Sequence, residues 1–151
     1  MPAGKTSTDR RVARPCKFCA IVSGEEKSFP VYRDDICVAF LDYRPLRLGH
    51  LLLVPLAHYE TLADVPDAVM AALGPRIKRL SAAVMRAFDA EGSFVALNNI
   101  VSQSVPHVHF HIVPRSKGDG LFSSGMIWKR VSYRDDAERE AYAARIRSAL
   151  A

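Results

Sequence analysis

Long hydrophobic runs are missing from this sequence. The longest apolar stretch, Leu51 to Val54 and a little beyond Pro55, falls far short of the ~18 to 20 residues that a bilayer-spanning helix needs, so no membrane span is expected. Met1 to Pro15 is polar and basic and lacks the apolar run of ~7 to 15 residues found in a secretory signal. It reads as a flexible lead-in over residues 1–14 of a protein expected in the cytoplasm. Cysteine is scarce: there are three among 151 residues, and an odd number in that setting argues against a disulfide framework. Repeats, low-complexity tracts and interdomain linkers are also absent. Residues 15–151 therefore read as one domain, with a C-terminal tail and helix over about 115–151. A chain of this length buries roughly two-thirds of its unfolded surface without help.

Charge of one sign is in small excess. Lys and Arg number 21 against 16 Asp and Glu, a net charge of +5. Residues 1–17 and 115–134 each carry +4, whereas residues 18–114 carry −2 and residues 135–151 carry −1. A nucleic-acid groove would need basic residues interleaved with aromatics on one face, so a nucleic-acid partner is not expected. The second basic segment begins at Arg115, and it reads as able to draw in a phosphorylated ligand.

The pattern of residues predicts an α+β fold built on a five-stranded, mainly antiparallel sheet with one long and several short helices. Cys16 to Val22 reads as a short helical turn ended by Ser23-Gly24. Pro30–Arg33 and Ile36–Asp42 read as a hairpin around Asp34-Asp35. His50–Val54 reads as a third strand. From Asp64 to Ala90, Val69, Leu73, Ile77, Leu80, Val84 and Phe88 recur at helical spacing, with Gly74-Pro75 expected to kink or divide the helix. Ser93–Asn98 and His107–Val113 read as two further strands and Asp135–Leu150 as a helix. Cys37 alternates with apolar neighbours and reads as core.

Chemistry concentrates in His107-Val108-His109-Phe110-His111-Ile112-Val113. Strand side chains alternate, so the three imidazoles share one face while Val108, Phe110 and Ile112 enter the core. Imidazole serves as nucleophile, acid–base group or metal ligand. The remaining two histidines, His50 and His58, flank the third strand, and Asp42 ends the second. Asn98 to Pro106 is rich in amide, hydroxyl and backbone donors, which suits phosphate oxygens. Cys16-x-x-Cys19 can clamp a metal or form an ordinary reduced turn.

The motif His107 to Val113 resembles the signature of the histidine triad (HIT) family, in which three histidines alternate with apolar residues. The likeness runs over about a hundred residues, from Cys16-Lys17-Phe18-Cys19 through Val38 to Asp42, Gly49-His50, Val54-Pro55, His58 and Gln103-Ser104 to Pro114-Arg115. It implies a HIT-like fold and a homodimer. The implied activity is hydrolysis or transfer at the α-phosphate of nucleoside 5′-phosphoramidates or dinucleoside polyphosphates, through a covalent nucleotidyl-histidine and with purine nucleotides preferred. By resemblance His109 is the nucleophile, assisted by His107, His111 and His50, with its tautomer fixed by a backbone carbonyl. Gln103, Ser104 and one of Asn98 and Asn99 hold phosphoryl oxygens. Asp42 takes the ribose hydroxyls, and Phe18, Ile21, Phe40 and Tyr43 form the base slot. Bacterial members similar to this chain complete a structural zinc site with two histidines, so the implied ligands are Cys16, Cys19, His58 and His107. The implied chemistry needs no catalytic metal, although a divalent cation can accompany the substrate.

This chain departs from the family pattern before the triad. Many relatives carry a Gly-rich segment ending Gly-Gln, but here Ser102 precedes Gln103 and no glycine falls between Gly92 and Gly118. Two other readings stay open: a zinc-dependent hydrolase using the strand histidines, and a nucleotide-binding or scaffold module with little turnover. The segment Leu121 to Trp128 reads as packing at a dimer interface or reaching the partner's pocket.

Overall fold

Asp34 closes the first hairpin. Its Oδ1 accepts the backbone N–H groups of Ile36 (2.8 Å) and Cys37 (2.9 Å), and its Oδ2 accepts the Tyr32 hydroxyl (2.6 Å) and Arg76 Nε (2.5 Å). Despite burial, these donors hold the Asp34 carboxyl well below the usual carboxylate range. Strands β1 (Pro30–Arg33) and β2 (Cys37–Leu41) pair antiparallel on either side of this turn. In this computed structural model, which describes residues 15–123 and 129–151, three more strands follow: β3 (Leu51–Pro55), β4 (Gly92–Ala96) and β5 (Phe110–Arg115). The sheet order is β1-β2-β3-β5-β4, and every pairing is antiparallel. The expected flexible segment 1–14 and the expected contacts of Trp128 lie outside the described residues.

Among the described residues, three α-helices cover the sheet: α1 (Lys17–Ser23), α2 (Asp67–Ala87) and α3 (Asp136–Leu150). Helix α1 ends where Gly24 adopts φ +84°, a conformation that favours glycine. Helix α3 starts where the Asp135 carboxylate accepts Glu138 N–H at 2.8 Å. Helix α2 packs on β4, β5 and α3, and its buried residues Leu73, Leu80, Ala83 and Val84 join Ala39, Leu41, Leu51, Leu53, Val108, Phe110 and Ile112 in the main core.

Two expectations about α2 need correction. The helix is shorter than Asp64–Ala90, with a separate 3-10 turn at Leu62–Asp64. Gly74-Pro75 does not divide it. An interior proline costs ~3 kcal/mol, whereas burying Leu73 and Leu80 contributes about 1.5 to 3 kcal/mol each. The following turn is further tied down, because Arg76 Nη1 donates to the Ala72 carbonyl (2.5 Å) while Nε holds Asp34.

Strands β2 and β3 are buried along their whole length. One face meets α2 and α3. The other face, with Val38, Phe40, Leu52 and Val54, meets Phe18 and Ile21 of α1. The triad lies on this α1 side.

Candidate active site

The segment from His107 enters the sheet late. A strand was expected over His107–Val113, but ladder pairing begins at Phe110, opposite Leu53. The N–H of His107 goes instead to the Val105 carbonyl (2.8 Å) and that of Val108 to the Tyr59 carbonyl (2.7 Å). The alternation nevertheless holds: Val108, Phe110 and Ile112 lie in the main core. The three histidines are buried, with exposures of 0% for His107, 3% for His109 and 6% for His111.

Main-chain groups fix the proton position on His109 and His50, and His50 in turn fixes it on His111. His109 Nδ1 lies 2.8 Å from the His107 carbonyl oxygen. A carbonyl only accepts, so Nδ1 carries the proton and Nε2 keeps its lone pair. The N–H of Leu46 donates to His50 Nδ1 at 3.0 Å, so the His50 proton sits on Nε2, which donates to His111 Nδ1 at 2.9 Å. His111 therefore carries its own proton on Nε2. Burial, followed by the charges of His109 and Arg130, pushes His111 down to about 4, and burial likewise lowers His50 and His109. All three rings are neutral near pH 7.

His109 and His111 line a cavity of about 710 Å3 together with Phe18, Ile21, Phe40, Asp42, Tyr43 and Ser104. The Phe18 ring stands edge-on to His109 (5.0 Å between centroids) and to Phe40 (5.6 Å). Asp42 Oδ1 accepts the Arg44 N–H (2.9 Å), and its Oδ2 lies 3.6 Å from His50 Nε2. Burial raises the Asp42 carboxyl against the lowering effect of the Arg44 N–H, Arg130 and His109. Tyr43 is at the rim, with the Arg139 guanidinium 4.2 Å over its ring.

A second cluster lies beside α1. Cys16 Sγ, Cys19 Sγ, His58 Nδ1 and His107 Nδ1 lie within 4.8 Å of one another. The separations are 3.5 Å (Cys16 to His107), 3.6 Å (Cys19 to His107), 3.3 Å (Cys19 to His58) and 3.2 Å (His58 to His107). A tetrahedron with zinc–nitrogen and zinc–sulfur bonds has edges of about 3.3 to 3.8 Å, so these four atoms fit that ion. The Pro55 carbonyl accepts His107 Nε2–H at 2.9 Å, which leaves Nδ1 free as a ligand. Burial and then the adjacent Cys16 thiol raise the Cys19 thiol, and a bound cation would reverse that effect. Asp42, His50 and His111 also converge, but both His50 nitrogens are already committed to hydrogen bonds, so it offers no lone pair to a metal.

Several predicted residues are placed elsewhere. Asn99 Oδ1 accepts Leu62 N–H, Asn98 Nδ2 donates to the Ser102 carbonyl, and Gln103 joins Ile100 N–H to the Glu60 carbonyl. Their side chains brace the loop, and none of the three is among the cavity-lining residues. The His107 ring is in the cluster, while its carbonyl serves His109. Arg115 does not face the cavity: its guanidinium grips the buried Asp119 carboxylate at 2.6 and 2.9 Å. Of that basic segment it is Arg130 that lines the cavity. Sequence reasoning had Arg130 only as one charge of a basic segment, and missed Arg44 and the roles of Leu46 N–H and Pro55 C=O. No motif marks them, and Arg130 stands 88 positions from its partner Asp42.

Comparison with known proteins agrees with this layout. The HIT domain family model matches residues 23–118. An adenylylsulfatase of Arabidopsis thaliana is 36% identical over 125 residues, or 82% of this chain, which spans only 63% of that relative's length. An adenosine 5′-monophosphoramidase of Saccharomyces cerevisiae is 36% identical over 120 residues, covering 78% of this chain and 73% of that protein. The crystal structure of a zinc-bound histidine triad family protein from Mycobacterium smegmatis is similar with a TM-score of 0.77 at 33% identity, covering 89% of this chain and 92% of that one. The chain belongs to the HIT family.

Proposed function

We propose that this protein is a cytoplasmic, homodimeric nucleotide hydrolase or transferase with residues 15–151 as one HIT domain. It cleaves nucleoside 5′-phosphoramidates or dinucleoside polyphosphates, purine forms preferred, at the α-phosphate. The observation that carries the reading is the hydrogen bond from His109 Nδ1 to the His107 carbonyl, which leaves Nε2 as a nucleophilic nitrogen on a cavity-lining residue. The names of the plant and yeast relatives, an adenylylsulfatase and an adenosine 5′-monophosphoramidase, support this substrate class.

In the first step His109 Nε2 attacks phosphorus and the bond to the leaving group breaks, a departing amine taking a proton from solvent. The Nε2–H of His111 and the Ser104 hydroxyl hydrogen-bond the phosphoryl oxygens as charge builds on them, a preorganised stabilisation. Water then displaces His109 from phosphorus, releasing the 5′-monophosphate and restoring the imidazole. Asp42 holds the ribose hydroxyls, and Phe18, Ile21, Phe40 and Tyr43 flank the base. Zinc held by Cys16, Cys19, His58 and His107 would supply structural cross-linking of α1 to the triad segment. Mass spectrometry of protein quenched during turnover of adenosine 5′-phosphoramidate tests the reading. A nucleotidyl adduct on His109, lost in His109→Ala together with turnover, is expected; turnover retained by His109→Ala overturns it.

A further inference from the structure

Arg130 sits where the chemistry at the α-phosphate does not call for it. Its Nη1 donates to Asp42 Oδ2 at 3.0 Å and to the Arg44 carbonyl at 2.6 Å. Its side chain is 38% exposed, and Nε and Nη2 have no partner among the described residues. Four cations, Lys17, Lys27, Arg44 and Arg130, line the cavity against two acids, Glu26 and Asp42. Lys17 is paired with Glu26 (3.6 Å) and Lys27 with Asp136 (2.9 Å). The Arg44 guanidinium has no hydrogen-bond or ion-pair partner among the described residues. The cavity therefore holds two arginines with unused donors, Arg130 reaching the one carboxylate assigned to ribose through its guanidinium and Arg44 through its main-chain N–H.

A plain ribose offers such donors only hydroxyl oxygens. A phosphate ester offers charged oxygens in a geometry that matches the guanidinium fork. In nucleotide-binding folds an acidic residue selects a free ribose hydroxyl and a nearby arginine accommodates a ribose phosphate. Here both occur together, and Arg130 screens the Asp42 charge that would otherwise repel a phosphate.

We propose that Arg130 and Arg44 form a subsite for a second phosphate carried on the substrate's ribose, at its 2′ or 3′ oxygen. The proposal rests on the assignment of Asp42 to ribose. The preferred ligands are then nucleoside 5′-phosphoryl compounds that also bear a ribose phosphate.

Titration calorimetry of the full chain with adenosine 5′-monophosphate, adenosine 2′,5′-bisphosphate and adenosine 3′,5′-bisphosphate tests it. One bisphosphate should bind at least about tenfold more tightly than the monophosphate, the scale of a hydrogen bond between charged groups; which one does so identifies the oxygen. Arg130→Ala should bring that ratio to one or below, and Arg130→Lys should keep part of it. Lys117→Ala removes the same charge at a residue outside the cavity and should leave the ratio as in the unmodified protein. The subsite alone is overturned if all three ligands bind equally, if the ratio survives Arg130→Ala and Arg44→Ala, or if Lys117→Ala lowers it equally. Absence of binding by all three overturns the nucleotide reading and the subsite with it.

Discussion

His107 orients His109 through its main chain, with the His107 carbonyl oxygen 2.8 Å from His109 Nδ1, while its own ring turns away to Pro55 and the thiols of Cys16 and Cys19. One residue thus serves the proposed nucleophile through its carbonyl and the Cys/His cluster through its ring.

These two contributions separate on mutation. His107→Ala keeps the carbonyl and should retain kcat within about tenfold while lowering Tm by several degrees, since ~1 kcal/mol moves Tm by roughly 2 to 8 °C in domains of this size. His109→Ala should leave Tm near that of the unmodified protein and lower kcat by at least ~10^4-fold, the scale of losing a nucleophile. Steady-state assays and calorimetry of both variants check this. Equal losses of activity would contradict it.

His50 acts as a positioning residue for His111. His50→Ala removes the ring between Leu46 N–H and His111 Nδ1, which frees His111 to adopt either tautomer. A fall in kcat of about 10^2-fold is expected, within the range of acid–base contributions. Nitrogen-15 chemical shifts should show the His111 proton leaving Nε2; an unchanged tautomer would rule the relay out.

Stability should fall in mild acid. His111 titrates at about 4 in the folded chain against 6.5 as its ordinary value. Between those pH values the unfolded chain binds a proton there that the folded chain does not, so unfolding becomes easier as pH drops from 6.5 to 4. The slope approaches ~1.4 kcal/mol per pH unit for this group. Urea denaturation across this range should give a shallower slope for His111→Gln, by about one proton.

Metal content gives a further check. Purified protein should hold one zinc ion per chain by mass spectrometry under native conditions, and Cys16→Ser with Cys19→Ser should lose it. Chelation should lower Tm while a short assay at low temperature still records turnover. Loss of turnover that zinc restores, with the fold intact, would favour the zinc-dependent hydrolase instead.

Gly49 is required beside His50. It adopts φ +94°, and a Cβ there would stand 2.4 Å from Cε2 of Phe88. Gly49→Ala should destabilise by about 2 to 5 kcal/mol, backbone strain and overpacking together. Adding Phe88→Leu should recover only the steric part, read as the denaturation midpoint.

Much of this architecture was legible locally. The alternation from His107 to Ile112, the stop at Gly24 and the start at Asp135 each follow from one side chain acting on its own segment. Gly74-Pro75 does not divide α2, because packing of Leu73 and Leu80 outweighs a local break. The donor-rich composition of residues 98–106 suggested a phosphate loop, yet Ile100 (φ +66°) and Ser102 (φ +62°) take left-handed conformations, and the amides of Asn98, Asn99 and Gln103 bond to the loop's own main chain and to Leu62 and Glu60. Backbone groups such as Leu46 N–H carry no sequence signal, and Arg130 reaches Asp42 only through the tertiary fold.

Strands β2 and β3 are apolar on both faces, and this bears on how their alignment is chosen. A slip by one residue exchanges the two faces of a strand, and where only one face is buried the exposed apolar side chains penalise it. Here such a slip would swap one greasy face for another, so hydrophobicity barely distinguishes right from wrong. The discrimination falls to polar pins at the strand ends: Asp34 at the turn, Leu56 N–H on the Ile36 carbonyl, and Asp42 N–H on the His50 carbonyl. Two of those pinned residues, Asp42 and His50, belong to the proposed nucleotide site, so the main-chain bond that aligns β2 with β3 also sets the spacing of two side chains that the site uses.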